Sequence, residues 1–166
     1  QWLKEFETQV DVVLSTKETP KQAVLNSDIV FLCVGNDDDL RSVIYGEDGV
    51  LAGVKDNAVI VDHTTTSAEV AREIHAKCAK QNIEFIDAPV SGGQAGAENG
   101  VLTVMAGGDK QAYKLVEPVI ISFAKFSKLM GDVGSGQLTK MVNQICIAGV
   151  VQGVAEGLHF ARSAGL

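Results

Sequence analysis

Ser91, Gly92 and Gly93 close the run Asp87-Ala88-Pro89-Val90-Ser91-Gly92-Gly93 and join a hydroxyl to two residues that let the chain turn sharply. Consecutive backbone N–H groups in such a turn form a concave nest that holds a carboxylate or phosphate without a nearby cation. Further along, Lys140 stands in Gly134-Ser135-Gly136-Gln137-Leu138-Thr139-Lys140-Met141-Val142-Asn143-Gln144, with two amides three and four residues after it. On a helix those spacings put Asn143 and Gln144 on the lysine's own face. A lysine beside amides suits general acid and base work at a hydroxyl or carbonyl oxygen. The two runs together predict an anion cradle beside a proton carrier. Each also has an ordinary reading: Ser-Gly-Gly is common in plain turns, and a lysine next to helix amides is commonly just solvated.

The elements that must position these residues follow from the hydrophobic pattern. Short β-branched runs alternate with helix-period segments, as in a parallel sheet with crossover helices. Strands are expected over residues 10–14, 29–34, 58–62, 83–87, 102–106 and 126–129. Ile29-Val30-Phe31-Leu32-Cys33-Val34 and Val59-Ile60-Val61 are continuously apolar, as strands covered on both faces are, and are expected at the sheet's centre. The Ser91 turn then follows the carboxyl end of the strand over 83–87, where ligands of open parallel sheets sit. Thr19-Pro20-Lys21-Gln22 and Thr66-Ser67-Ala68-Glu69 read as capping boxes, and Asp109 as the cap of a helix over 110–121.

Residues 137–164 read as one helix of roughly 40 Å with no internal proline. Gly149, Gly153, Gly157, Ala161 and Gly165 recur every four residues on it, a stripe of small residues that admits a second helix. Tolerance on a solvated face would give the same spacing, but Ile147, Val150, Val151, Val154 and Leu158 flank the stripe and are apolar. A partner subunit or a following helical domain is the expected cover. The fold class is therefore α/β: a Rossmann-like, mostly parallel sheet with flanking helices over residues 1–133, ending in a long interdomain helix over 134–166.

Composition narrows the partners. With 46% hydrophobic and 21% charged residues in 166, the chain can build one well-cored domain. The 14 basic residues against 21 acidic ones are scattered, which disfavours nucleic acid. Cys33, Cys78 and Cys146 are odd in number and far apart, so neither a disulfide framework nor a zinc site is expected, and a cytoplasmic setting fits. The most apolar stretch, 145–155, is broken by Gln152 and glycines before it reaches the roughly 18 residues of a membrane span. Asp37-Asp38-Asp39 reads as a charge run at a helix's positive end rather than as ligands, and His63, His75 and His159 lack metal-ligand spacing and read as surface or helix residues. No metal is expected. Gly134-Ser135-Gly136 lacks the third glycine of a dinucleotide fingerprint, and Pro89 stands where a nucleophile elbow needs glycine.

Read together, the Asp87 to Gly93 run with Gly96-Ala97 and Gly100, then Leu102-Thr103-Val104-Met105-Ala106-Gly107-Gly108, then Gly134-Ser135-Gly136 and Lys140, closely resemble the β-hydroxyacid dehydrogenases, the family of 3-hydroxyisobutyrate dehydrogenase and tartronate semialdehyde reductase. The resemblance runs over essentially the whole chain. It implies an NAD- or NADP-dependent, reversible oxidation of a small 3-hydroxy acid to its semialdehyde, and a homo-oligomer, a dimer, formed with the help of the long helix. Ser91, Gly92 and Gly93 would hold the substrate carboxylate, Lys140 would exchange the proton, and Asn143 and Gln144 would orient the substrate. Val34-Gly35 match the family's Leu-Pro cofactor contact imperfectly, and Thr65 matches its nicotinamide-side threonine. Family members open with a strand and a GxGxMG turn and continue into an all-helical domain. Neither is found here, so the chain is expected to be a fragment of such an enzyme with weakened cofactor affinity. The competing expectation is a non-catalytic binding or assembly module that works through the small-residue helix.

Overall fold

The structure, a computed structural model, describes residues 15–166. The strand expected over 10–14 and the helical start of the chain lie outside the described residues. In order come α1 (Pro20–Ala23), β1 (Ile29–Leu32), α2 (Asp37–Ile44), β2 (Val59–Asp62), α3 (Ala68–Cys78), β3 (Glu84–Asp87), β4 (Val90–Ser91), α4 (Gly93–Glu98), β5 (Leu102–Gly107), α5 (Lys110–Ile120), β6 (Ala124–Gly131) and α6 (Ser135–Ser163). Each strand expected within these residues is present, and the Rossmann-like α/β reading holds.

The sheet runs β1-β2-β3-β5, with β4 and β6 both paired to β5. It is more mixed than expected. β1, β2 and β3 are parallel, β5 runs antiparallel to β3 and β4, and β6 runs parallel to β5. The cause lies in the link between β3 and β5. A parallel return needs a helix laid across the sheet, whereas this link spends its first residues on β4, which pairs back onto β5 through Val90↔Val104 and Ser91↔Thr103. The chain doubles back as a broad hairpin, with α4 at its bend. The link from β5 to β6 does contain a full crossover helix, α5, and those two strands are parallel.

Alternation along the strands splits the core in two. Val30, Leu32, Ile60 and Phe85 face Leu40, Ile44, Val70 and Ile74 of α2 and α3. Val59, Val61, Ile86 and Val104 face Val116 and Ile120 of α5. β2 is buried at all four positions and sits inside the sheet as expected, but β1 is an edge among the described strands, with Phe31 exposed. An apolar run thus marked one central strand and one whose outer flank is open among those residues.

Caps explain where the helices start. Thr19 accepts from the N–H of Gln22, Asn36 from Asp38 and Asp39, and Asp109 from Gln111 and Ala112. Asp37, Asp38 and Asp39 fill the first turn of α2, the position that the helix dipole favours. At α3 the expected box fails: the cap is Ser67, not Thr66, which leaves Glu69 one place short of closing it. Asp37 takes over that duty from α2, accepting both the N–H and the hydroxyl of Ser67.

The closing helix α6 has 29 residues, of which only Gly136 and Gln137 are buried. By length and composition alone it is apolar enough to cross a membrane, contrary to the strict count of apolar residues, because its glycines and alanines scarcely lower the average.

Candidate active site

Asp87, at the end of β3, organises the site from below. Its carboxylate accepts the N–H of Gly134 at 2.7 Å and of Gln137 at 2.9 Å, so the free donors at the start of α6 are already engaged. Gly136 has to be glycine, since a Cβ there would stand 2.6 Å from the Asp87 carbonyl oxygen. The Gly134-Ser135-Gly136 run is thus a close-packing device that seats the helix on the sheet. Gln137 adds a buried amide that accepts the Thr66 N–H at 3.0 Å and donates to the Thr64 carbonyl at 2.7 Å.

Seated in this way, α6 faces the Ser91 turn. A cavity of about 620 Å³ is lined by Ser91, Gly92, Gly93, Lys140 and Gln144, together with Cys33, His63, Phe123 and Ile147 among others. Residues predicted from segments far apart in sequence therefore share one cleft. Gly92 has φ +136 and Gly93 φ +61, backbone conformations that side chains disfavour, so the glycine pair is required by the turn itself.

One predicted residue, Asn143, is not part of the cleft lining. Lys140, Gln144 and Ile147 line the cleft, whereas Asn143 does not and instead donates its amide to Gln144 Oε1 at 3.2 Å. On a helix, steps of four and seven return within about 40° of the starting direction, while a step of three swings about 60° to the other side. The wall follows 140, 144 and 147.

Val34, Gly35 and Thr65 lie just past the carboxyl ends of β1 and β2, outside the cleft lining. Their loops are tied together: the Val34 N–H donates to Thr64 Oγ1 at 3.0 Å and the His63 N–H to the Leu32 carbonyl at 2.8 Å. Gly35 and Thr65 are exposed, and a Cβ on Gly35 would collide with the carboxylate of Asp39.

Sequence reasoning missed His63, which is neither a surface residue nor on a helix. It is half-buried in the cleft wall, its Nδ1–H donating to the Ala88 carbonyl at 2.6 Å, with Nε2 buried and unpartnered. Its ring stacks on Phe31 at 5.6 Å and meets Phe123 edge-on at 5.5 Å. Burial lowers its pKa, against the opposing pull of the Ala88 bond, and so favours the neutral ring. Its neighbour Asp62 is fully buried, with Oδ1 bonded to the Thr64 N–H and Oδ2 without a partner. The position of His63 and Cys33, just past apolar strands, was the available signal, because ligands gather at the carboxyl ends of such strands.

A second cavity of about 590 Å³ lies by the amino end of β3 and the carboxyl ends of β5 and β6, lined by Arg72, His75, Glu84, Asp109 and Asp132 among others. Its three carboxylates outnumber Arg72, and a third cavity of about 390 Å³, lined by residues such as Val24, Val30 and Phe31, carries no acid or base; the Ser91 cleft alone of the three joins a hydroxyl, a glycine turn and a lysine.

Comparison with known proteins agrees with this fold. Residues 3–145 match the family model of the NAD binding domain of 6-phosphogluconate dehydrogenase. An uncharacterized oxidoreductase of Shewanella frigidimarina is 65% identical over 149 residues, which are 90% of this chain and 51% of that protein. A protein of Arabidopsis thaliana named probable 3-hydroxyisobutyrate dehydrogenase-like 2, mitochondrial, is 45% identical over 151 residues, 91% of this chain and 50% of its own length. The solved 3-hydroxyisobutyrate dehydrogenase of Mycobacterium tuberculosis superposes with a TM-score of 0.84 at 30% identity, covering 90% of this chain and 50% of that one. The chain spans about half the length of the curated relatives it matches. With a fold that agrees and a family model that matches most of its residues, the chain belongs to the family of the NAD binding domain of 6-phosphogluconate dehydrogenase.

Proposed function

We propose that this chain is part of an NAD(P)-dependent oxidoreductase that interconverts a small 3-hydroxy acid and its semialdehyde. The observation that carries the reading is the shared cleft, in which the turn at residues 91–93 and Lys140 line one cavity. Ser91 Oγ and the N–H groups of the glycine pair receive the substrate carboxylate. Lys140 Nζ meets the substrate oxygen, taking its proton on oxidation and returning it on reduction. Gln144, on the same wall, hydrogen-bonds the substrate, and Asn143 holds Gln144 in place through their amide contact.

Val34, Gly35 and Thr65 would hold the nicotinamide side of NAD or NADP. They fit that duty because they leave neighbouring parallel strands at the same rim, Gly35 offers bare backbone, and Cys33 and His63 beside them reach into the cleft. When bound there, the nicotinamide would supply the hydride acceptor for oxidation of the carbinol carbon and the hydride donor for the reverse. His63 and Phe123, packed edge to face, would line the wall of the cleft beside the reacting carbon.

In this reading residues 1–133 are cofactor-binding, 134–166 form an interdomain helix, and the exposed stripe of α6 meets a helical domain or a second copy of the chain. A cytoplasmic setting belongs to the same reading. Nucleic acid is not part of this reading, the charge being net acidic, and the apolar face of α6 is read as a protein contact rather than a membrane one. The test is a panel of short 3-hydroxy acids with NAD and NADP, using the chain with whatever flanking sequence its gene encodes. Cofactor reduction is expected with at least one acid, and Ser91→Ala should raise KM about tenfold with a smaller change in kcat. Absence of reduction across the panel, or a KM unmoved by the substitution, rejects the assignment.

A further inference from the structure

We infer that Gln137 is the positioning residue of Lys140, its buried amide locking the helix that carries the lysine to the cofactor-side loop after β2. The inference rests on the oxidoreductase reading above and adds to it how the proton carrier is aimed.

Of the 29 residues of α6, only Gly136 and Gln137 are buried. Gly136 lets the helix approach but supplies no direction. Gln137 does, since its amide donates to the Thr64 carbonyl at 2.7 Å and accepts the Thr66 N–H at 3.0 Å. Those two backbone groups flank Thr65, the residue assigned to the nicotinamide side. The Gln137 N–H donates to Asp87 Oδ2 at 2.9 Å, and Asp87 stands four residues before Ser91 in the same strand-and-turn segment. The cofactor rim, through the side chain, and the substrate segment, through the backbone N–H, thus meet the lysine helix at one residue.

The geometry of a helix carries the effect to Lys140. Three residues on, the lysine sits about 4.5 Å along the axis and about 60° around it, so whatever fixes the roll of α6 at Gln137 fixes the direction of the lysine. Packing alone would be served by an apolar residue of similar volume. A fully buried glutamine using both its donor and its acceptor on backbone groups instead sets an angle, because hydrogen bonds are directional and apolar contacts are not.

The test uses the enzyme with its flanking sequence, with Gln137→Met and Gln137→Glu compared by kcat, KM, melting temperature and the solvent deuterium isotope effect on kcat. Methionine keeps the volume and loses both bonds. Expected are a kcat lower by about tenfold to a hundredfold per folded site, a KM for the hydroxy acid within about twofold, and a larger solvent isotope effect as proton transfer becomes limiting. A purely structural role would lower the melting temperature and the active fraction, leaving kcat per active site and the isotope effect where they were. Should the methionine variant not fold, glutamate keeps the length and the acceptor for Thr66 while losing the donor for Thr64, and the same quantities are read from it. An active parent whose folded variant keeps its kcat and isotope effect overturns this inference alone. A parent inactive toward every 3-hydroxy acid overturns the oxidoreductase reading, and this inference with it.

Discussion

Lys140 and Asp62 pose the sharpest questions at the level of single residues. If Lys140 exchanges the proton and does little else, Lys140→Ala should cut turnover by about 10² to 10⁴-fold while cofactor affinity, followed by fluorescence titration, stays within about twofold. Equal losses in both would reassign the lysine to binding. Asp62 is a buried carboxyl whose pKa burial pushes up to about 6, with Asp87 beside it adding to the rise. In the unfolded chain the group titrates near 3.8. Between those values the folded chain holds more protons than the unfolded one, so stability falls as pH rises through the window and the deficit is complete above it. Asp62→Asn removes the charge and can retain the acceptor for the Thr64 N–H. Its effect on stability should therefore be more favourable at about pH 8 than at about pH 5, by an amount on the order of 1–3 kcal/mol. Denaturant curves showing the same difference at both pH values would rule this out. Ser91 and Lys140 were legible in the sequence because hydroxyl, glycine pair and lysine are chemical statements in themselves. Asp62, His63 and Gln137 were not, because their meaning comes from burial and from backbone groups that only the folded chain brings near.

For the elements, the start of α6 decides how the site is built, and its tolerance to substitution should be steeply position-dependent. A Cβ at Gly136 would crowd the carbonyl oxygens of Met105 and Asp87, backbone atoms that cannot swing away. Gly136→Ala should therefore destabilise by about 1–3 kcal/mol, the usual range for overpacking, and chemical denaturation will measure it. A stability equal to the parent's would mean that the helix does not seat where it is described. The same boundary separates what sequence could and could not supply. Strand positions were readable from runs such as Val59-Ile60-Val61, since burial on both faces demands continuous apolarity. The reversal of β5 was not, because Leu102 to Gly107 reads alike in either direction and the deciding feature is a two-residue strand, Val90–Ser91, too short to leave a pattern. Which of Asn143 and Gln144 lines the cleft was not legible for a similar reason: three- and four-residue steps both count as neighbours, and only the folded cleft takes in Gln144.

At the scale of the whole molecule, α6 presents an unusual surface. Ile145, Val150, Val151, Val154, Leu158 and Phe160 are each more than half exposed, and an ideal Cβ at Gly149, Gly153 or Gly157 would meet nothing within 4 Å. A helix that stayed bare would gain from alanine, because glycine costs it up to about 1 kcal/mol per interior position. A helix whose small-residue stripe receives another helix would lose, because the added methyl enters a contact that glycine made close. The sign of a single substitution therefore separates the two situations. For the chain with its natural flanking sequence, we expect Gly153→Ala to lower the melting temperature, and sedimentation velocity to show a shift toward smaller species if the covering helix belongs to a second copy. A fall in melting temperature with unchanged sedimentation would place the cover within the same polypeptide. A rise would show the stripe to be solvated, and the proposed assembly through α6 would then be abandoned while the cleft at Ser91 and Lys140 stood on its own evidence.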